Sequence, residues 1–387
     1  RNMQLSSPVI TSFSPASGPI STTVTITGTG FNTTASNNAV FFGATSATVQ
    51  SVEGSTTLTV TVPYGANYQY LSVTNLGTNL TGYSAKPFVV TFPIQGTDFF
   101  RESVDLVVTG TINAVTGGNS PRSIRIGDLN NDGKPDLVVA KDGSAIVSMY
   151  RNVSSPSGSL SFVLDVNIST GESSAHGVVL SDYDGDGKLD IAVSTYNSNT
   201  NAVNVYRNTT VFGSITLSTT PKRLLTLNST YEYKFGLASG DLDSDGRPDI
   251  VVTDGYNAQF GSVYSLISVF RNLSISGTID FAADQLISIG SRTNPIAVAI
   301  GDLNKDGKPD IVVSSENTTG LSILQNNSTI GTISLVLVQT LTTGLVTTQG
   351  VAIGDFDGDN NPDIVVNNYT ASGYVSFFRN TNSTTGT

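Results

Sequence analysis

Apolar and polar positions alternate along much of the chain, in short runs set between Gly, Pro, Asn and Asp, as in Val24-Thr-Ile-Thr-Gly28 and Val60-Thr-Val-Pro63. A period of two lines one face of a strand, and no long stretch shows the 3.6-residue period of an amphipathic helix. The pattern predicts an all-β protein of short strands joined by many turns. At 387 residues the chain exceeds what one hydrophobic core usually organises, so two domains of unequal size are expected.

One acidic loop recurs five times, each copy followed at once by a β-branched run. The copies read Asp128-Leu-Asn130-Asn-Asp132-Gly-Lys134-Pro-Asp136, Asp182-Tyr-Asp184-Gly-Asp186-Gly-Lys188-Leu-Asp190 and Asp241-Leu-Asp243-Ser-Asp245-Gly-Arg247-Pro-Asp249. The last two are Asp302-Leu-Asn304-Lys-Asp306-Gly-Lys308-Pro-Asp310 and Asp355-Phe-Asp357-Gly-Asp359-Asn-Asn361-Pro-Asp363. Their first aspartates lie 54, 59, 61 and 53 residues apart.

Around each loop four strand signals recur in order. An entry strand such as Val298-Ala-Ile-Gly301 and an exit strand such as Ile311-Val-Val-Ser314 flank the loop. A third strand ends in an aromatic-Arg-Asn signature at Tyr150-Arg-Asn152, Tyr206-Arg-Asn208, Phe270-Arg-Asn272 and Phe378-Arg-Asn380, with Leu324-Gln-Asn326 as the divergent copy. A fourth is expected to begin at Gly277-Thr-Ile-Asp-Phe281 and Gly331-Thr-Ile-Ser-Leu335. Four strands in nearly 60 residues is the arithmetic of a propeller blade. The fifth copy stops at Gly386-Thr387, and an orphan run, Ser103-Val-Asp-Leu-Val-Val108, precedes the first. Pairing these two halves would close a five-bladed ring and remove both open edges. The expected organisation is a tail over residues 1–7, able to donate a strand, a β-sandwich over 8–95 and a five-bladed propeller over 96–387.

Composition narrows the chemistry. With no cysteine, disulfides, thiolate metal sites and a cysteine nucleophile are excluded. The single histidine, His176, has no ligand-spaced partner in its flanks and reads as a loop residue, so neither zinc nor a Ser-His-Asp triad is expected. A net charge of −11 disfavours nucleic acid and anionic membranes. No run is apolar enough to span a bilayer, and the chain opens at Arg1 without a signal-peptide pattern, as a processed soluble form would.

The five loops hold 18 of the 30 acidic residues. At loop positions 1, 3, 5 and 9 stand Asp128, Asn130, Asp132 and Asp136, then Asp182, Asp184, Asp186 and Asp190, then Asp241, Asp243, Asp245 and Asp249. Asp302, Asn304, Asp306 and Asp310 follow, then Asp355, Asp357, Asp359 and Asp363. These side chains, with the backbone carbonyl at position 7 (Lys134, Lys188, Arg247, Lys308 and Asn361), can converge on one Ca2+ at about 2.3–2.6 Å. Position 2 is apolar and turns inward. Position 6 is Gly in four copies, where the chain bends sharply, and Asn360 in the fifth. An EF-hand is excluded by Asp at position 9 instead of Glu at 12, and three or four carboxylates per loop suit calcium better than magnesium. Five such structural ions would bring the net charge from −11 to −1.

These loops resemble the FG-GAP/VCBS repeat of integrin-α-like propellers, a likeness that covers about three quarters of the chain and implies a calcium-binding β-propeller. Asn360, Leu324-Gln325 and the low blade count depart from that pattern. Residues 8 to 92 resemble a second family, the IPT/TIG immunoglobulin-like domain, in Pro8-Val-Ile10, Phe13-Ser-Pro15, Val24-Thr-Ile-Thr-Gly28, Gly30-Phe31, Val40-Phe-Phe-Gly43 and Val60-Thr-Val-Pro63.

Together these readings describe a non-enzymatic, extracellular, calcium-binding structural or adhesive surface protein, able to self-associate into a fibre. The alternatives are a lectin-like glycan binder and a polysaccharide-active enzyme. A glycan would be read at one channel mouth by Pro121-Arg122, Ala175-His176, Lys234-Phe235, Pro295-Ile296 and Thr348-Gln349. Twelve Asn-x-Ser/Thr sequons, among them Asn79, Asn208, Asn272 and Asn368, fit N-linked glycans on an exposed surface.

Overall fold

The structure is a computed structural model and describes residues 7–63, 66, 69–91, 120–142, 144–155, 161–172, 174–196, 202–211, 213–225, 236–254, 264–291, 294–316, 320–342, 348–357, 359, 361–368 and 374–381. The described residues form an all-β protein whose one helical element is a 3-10 turn at Ala35–Asn37. The tail over 1–6 and the orphan run Ser103 to Val108 lie outside the described residues, as do Lys234, Phe235 and Asn360.

Residues 9–90 build two facing sheets. Strands β1 (Val9–Ser14), β3 (Thr23–Thr29), β7 (Thr57–Thr61) and β6 (Val49–Glu53) pair in the order β1-β3-β7-β6. The second sheet runs β2-β9-β8-β4-β5, from β2 (Ser17–Gly18), β9 (Leu80–Val90), β8 (Gln69–Asn75), β4 (Asn38–Phe42) and β5 (Thr45–Ala47). The alternation read from Val24-Thr-Ile-Thr places Val24 and Ile26 in the core and their neighbours in solvent. They meet Phe42, Leu71, Val73 and Phe88 of the other sheet. The rings of Phe42 and Phe88 lie edge to face with centroids 5.2 Å apart. Each such buried side chain stabilises the sandwich by roughly 1.5–3 kcal/mol.

Five antiparallel sheets follow, one for each acidic loop. The first contains β10 (Ser120–Gly127), β11 (Asp136–Asp142), β12 (Ile146–Asn152) and β13 (Phe162–Ser169). The second contains β14 (Ser174–Ser181), β15 (Asp190–Tyr196), β16 (Ala202–Tyr206) and β17 (Lys222–Leu225). In the third are β18 (Leu237–Gly240), β19 (Asp249–Asp254), β20 (Tyr264–Phe270) and β21 (Gln285–Ser291). The fourth holds β22 (Asn294–Gly301), β23 (Asp310–Glu316), β24 (Gly320–Asn326) and β25 (Leu335–Thr342), and the fifth β26 (Thr348–Gly354), β27 (Asp363–Asn368) and β28 (Tyr374–Phe378). Strands are hydrogen-bonded in chain order within every one of these sheets.

Successive sheets pack face to face. Ile191 and Val193 of β15 join Val138, Val147 and Met149 of the first sheet, while Ala192 between them joins Leu237, Ile250 and Val252 of the third. Both faces of β15 are therefore dry, which is why the runs after the loops are continuously apolar and do not alternate.

Two expectations need correction. The segments at Gly277 and Gly331 do not open the fourth strands. They are tight turns, with positive φ at both glycines (83° and 84°) and the bridges Ile275–Thr278 and Thr329–Thr332, and the strands start only at Gln285 and Leu335. His176 is no loop residue either. It lies in β14 with 2% exposure, its Nε2 3.2 Å from Asp142 Oδ1 of the preceding sheet.

Candidate metal centres

Each loop joins the first two strands of its sheet, and backbone N–H groups aim its carboxylates inward. In the second loop Asp182 accepts from the N–H groups of Asp186 (3.0 Å) and Gly187 (2.8 Å). Asp184 accepts from Asp186 N–H at 3.2 Å, and Asp186 from Lys188 N–H at 3.1 Å. Asp190 closes the loop, accepting from Tyr183 N–H at 2.9 Å and Asn208 N–H at 2.7 Å. Asp128, Asp241 and Asp302 repeat the first pair of bonds, while Asp136, Asp249, Asp310 and Asp363 repeat the last. Glycine at position 6 holds φ near +80° to +86° in the four loops that have it, as the sharp bend requires.

Carboxylate oxygens of Asp182, Asp184 and Asp190 lie within 4.8 Å of one another, as do those of Asp241, Asp243 and Asp249 and those of Asp355, Asp357 and Asp359. In the first and fourth loops Asn130 and Asn304 take the third position and lie close to Asp132 and Asp306, donating to them at 3.2 Å. Side chains at position 7 are cationic in four loops: Lys188 Nζ stands 3.8 Å from Asp186 and Arg247 3.1 Å from Asp245, both at position 5 of the same loop, while Lys308 donates to the Ser328 carbonyl at 2.8 Å. Such a residue can offer the loop only its carbonyl oxygen.

Crowding buried carboxylates raises their pKa. Burial pushes Asp182 and Asp249 up to about 8, Asp128 and Asp241 to about 7, and Asp136 and Asp310 to about 6. Asp190 rises well above the carboxylate range for the same reason, with Asp182 and Asp184 adding repulsion. Groups so placed favour any partner that brings positive charge without needing much water. The convergent, all-oxygen donor set fits a hard divalent cation.

The arginine of the aromatic-Arg-Asn signature supplies part of that charge, a role not read from the sequence. Arg207 donates to Asp184 (2.5 Å) and Asp186 (2.6 Å), Arg379 to Asp357 (2.5 Å) and Asp359 (3.0 Å), and Arg271 stands 3.6 Å from Asp243. In the first loop, where position 3 is Asn130, Arg151 turns to Asp165 instead, and in the fourth, with Asn304, the arginine is replaced by Gln325. The signal in the sequence was the fourth repeat, which lacks both the acid at position 3 (Asn304) and the arginine (Gln325).

The signature asparagine ties each loop to the next sheet. Asn208 donates to the carbonyls of Leu129 (2.8 Å) and Leu189 (3.0 Å), and thus to position 2 of the preceding loop and position 8 of its own. Asn272 reaches Tyr183, Asn326 reaches Leu242 and Asn380 reaches Leu303 in the same manner, at 2.8–2.9 Å. A second tie crosses each of the first three joints: Asn130 donates to the Gly213 carbonyl, and Gly277 N–H donates to Asp184 and Gly331 N–H to Asp243, the latter two at 2.9 Å.

Burial corrects one further expectation and narrows another. Asn208 and Asn272 are fully buried and Asn368 is 4% exposed, so in the folded protein these sequons are closed to glycosylation. Of the residues expected to read a glycan, Ala175, His176 and Thr348 are buried, Thr348 exchanging hydrogen bonds with the Ser315 backbone. Arg122 is exposed and pairs with Asp142 at 2.6 Å.

The model of the FG-GAP-like repeat matches residues 128–193, 182–252, 241–313 and 302–366, each match running from one acidic loop through the next. That of the IPT/TIG domain matches residues 8–90. No curated protein matches the chain in sequence. Among solved structures, a lectin of Agrocybe aegerita that recognises non-reducing terminal N-acetylglucosamine is 19% identical, with a TM-score of 0.42 over 91% of this chain and 82% of its own. A putative phosphatase from Bacteroides thetaiotaomicron is 13% identical, with a TM-score of 0.39 over 96% and 84%. An auxiliary nutrient-binding protein from Bacteroides ovatus is 15% identical, with a TM-score of 0.35 over 96% and 85%.

Proposed function

Because the chain belongs to the FG-GAP-like repeat family and carries an IPT/TIG domain ahead of the repeats, we propose that it is an extracellular, calcium-stabilised structural or adhesive protein. The observation that carries this reading is the convergence of carboxylates in one loop after another, each of the first four loops hydrogen-bonded to the next sheet. Calcium is the cation proposed for all five, since the donors are hard oxygens and each loop carries three or four carboxylates. Its role is scaffolding. The loops are dealt out one to a sheet and tie sheets together, which is the arrangement of a stabilising ion more than of a single reactive centre.

In this proposal the five sheets close into a five-bladed propeller. The apolar residue at position 2 supports closure: Leu129, Tyr183 and Leu242 are at most 1% exposed, whereas Phe356 of the last loop is 53% exposed. Ile124 and Ile126 of β10, at 54% and 52%, present the matching face at the other end of the series. Closure would cover both. The sandwich would then serve as a stem, and copies would associate into a fibre or other surface assembly.

Electron microscopy of the purified protein with calcium, and after its removal with EGTA, tests the reading. Ordered assemblies that lose their form without the ion are expected. Particles indifferent to EGTA would refute the calcium role, and dispersed single particles at high concentration would refute the assembly.

A further inference from the structure

The sandwich is seated on three of the five loops, and on their backbone. Asp128, position 1 of the first loop, donates its N–H to the Ala44 carbonyl at 2.8 Å. In the third loop Gly246, at position 6, accepts from Thr81 N–H at 2.8 Å. The second loop lies between them and is pressed closest. A Cβ on Gly185 would stand 2.3 Å from the Asn79 carbonyl oxygen, and one on Gly187 would stand 3.0 Å from Ala39 Cβ. Phe41 of β4 is buried in the same apolar cluster as Leu129 and Leu189, the residues at position 2 of the first loop and position 8 of the second. The glycine at position 6 has nothing within 4 Å of a Cβ built on it in both the first loop (Gly133) and the fourth (Gly307), so the first loop meets the sandwich only through Asp128 N–H and the apolar cluster around Leu129.

We infer that the sandwich and the loops of Asp128, Asp182 and Asp241 form one ion-dependent joint: cations in these three loops hold the sandwich against the repeats, and their loss releases it. This rests on the cation reading proposed above. The groups that touch the sandwich are atoms of the turns themselves, so their positions follow the fold of each loop around its ion. Without a cation the three or four acidic side chains of a loop repel one another, and the turn they brace no longer presents a fixed surface. A ligand shifts an equilibrium by its difference in affinity for the two states, and here the docked state is the one with the preformed loops. Linkage makes the effect reciprocal, so undocking the sandwich weakens cation binding at these loops by the same factor, about 5- to 150-fold for couplings of ordinary size. Among the described residues no backbone hydrogen bond joins the fourth or fifth loop to the sandwich, and both stand outside the joint.

The chain has no cysteine, so spin labels can be placed at will. Ser51→Cys with Ser276→Cys spans the joint, and Ser276→Cys with Thr329→Cys lies within the repeats; all three positions are exposed. Pulsed EPR distances are measured with calcium and after stripping, with calorimetric calcium titration of the same samples. The expected result is a narrow spanning distance with calcium that lengthens and broadens without it, while the distance within the repeats stays narrow. Asp302→Asn leaves the spanning distance narrow in calcium. Ala39→Trp, on the sandwich face opposite Gly187, broadens it in calcium and lowers the affinity of a subset of sites about 10-fold. A spanning distance that stays narrow in stripped protein shown by calorimetry to bind calcium overturns the joint alone, as does simultaneous broadening of both distances. Absence of any calcium binding overturns the joint and the cation reading together.

Discussion

The side-chain amide of Asn272 donates to the carbonyl of Tyr183, 89 residues earlier, at 2.9 Å, and to that of Pro248 in its own loop at the same distance. One buried amide thus fastens the third sheet to the second loop. Its carbonyl oxygen is also used, accepting from Ser274 N–H at 2.8 Å.

Asn272→Ala leaves two buried carbonyls and one N–H without their partners. The expected loss is about 2–4 kcal/mol, well above that of an average substitution. Denaturant unfolding measures it, and a loss under about 0.5 kcal/mol would show that the tie between sheets contributes little.

Arg207→Met removes the guanidinium that lies between Asp184 and Asp186 while keeping much of its packing. In the stripped protein this leaves a cluster of carboxylates with less counter-charge, at a cost of about 1–2 kcal/mol for a partly exposed pair. With calcium present the ion supplies that charge and the cost should shrink. Equal losses with and without calcium would show that the arginine does not substitute for the cation.

Stability should respond to pH in opposite ways with and without the ion. Burial places Asp182 and Asp249 near 8 and Asp128 and Asp241 near 7, above the value of an unfolded chain. The stripped folded state then holds protons that the unfolded chain releases, so its stability falls as pH rises from about 4 to about 8. Calcium binds the ionised carboxylates, so its protection grows over the same window. At ~1 mM ion and a Kd of ~0.1 mM each site adds roughly 1.4 kcal/mol, enough over five sites to raise Tm at pH 8 by about 10 °C or more. Scanning calorimetry from pH 5 to 8 reads both slopes. Coincident curves would leave no role for the ion.

Closure of the ring predicts a buried Phe356. Phe356→Asp is then expected to cost about 2–3 kcal/mol, against less than about 0.5 kcal/mol for a side chain that remains half in water. Thermal unfolding decides between the two, and a near-neutral substitution would mean that the first and fifth sheets do not meet.

The sheets and loops were largely legible in the sequence because both follow from local rules. Alternation in Val24-Thr-Ile-Thr fixes one buried face, and repeated oxygen donors at odd positions leave the apolar residue at position 2 to turn inward. What escaped depends on the third dimension. Nothing local marks Asn208 as an interior tie, since the same Asn-Thr-Thr would suit an exposed sequon; only the meeting of Leu129 with the next sheet buries it. The Gly277 and Gly331 segments carry β-branched residues as a strand would, yet positive φ at the glycine folds each back on itself before the strand begins. His176 read as a loop residue because its flanks hold no ligand-spaced partner, yet the small residues around it are what a strand packed against a neighbouring sheet requires.

The ties made by the signature asparagines all point backward along the chain: Asn208 to Leu129, Asn272 to Tyr183, Asn326 to Leu242, Asn380 to Leu303. Each new repeat therefore finds its anchorage in a segment that has already been synthesised. A chain emerging from its amino end can secure itself unit by unit, like courses of brick laid upward, and at no stage must a finished repeat wait for residues yet to be made before those bonds can form.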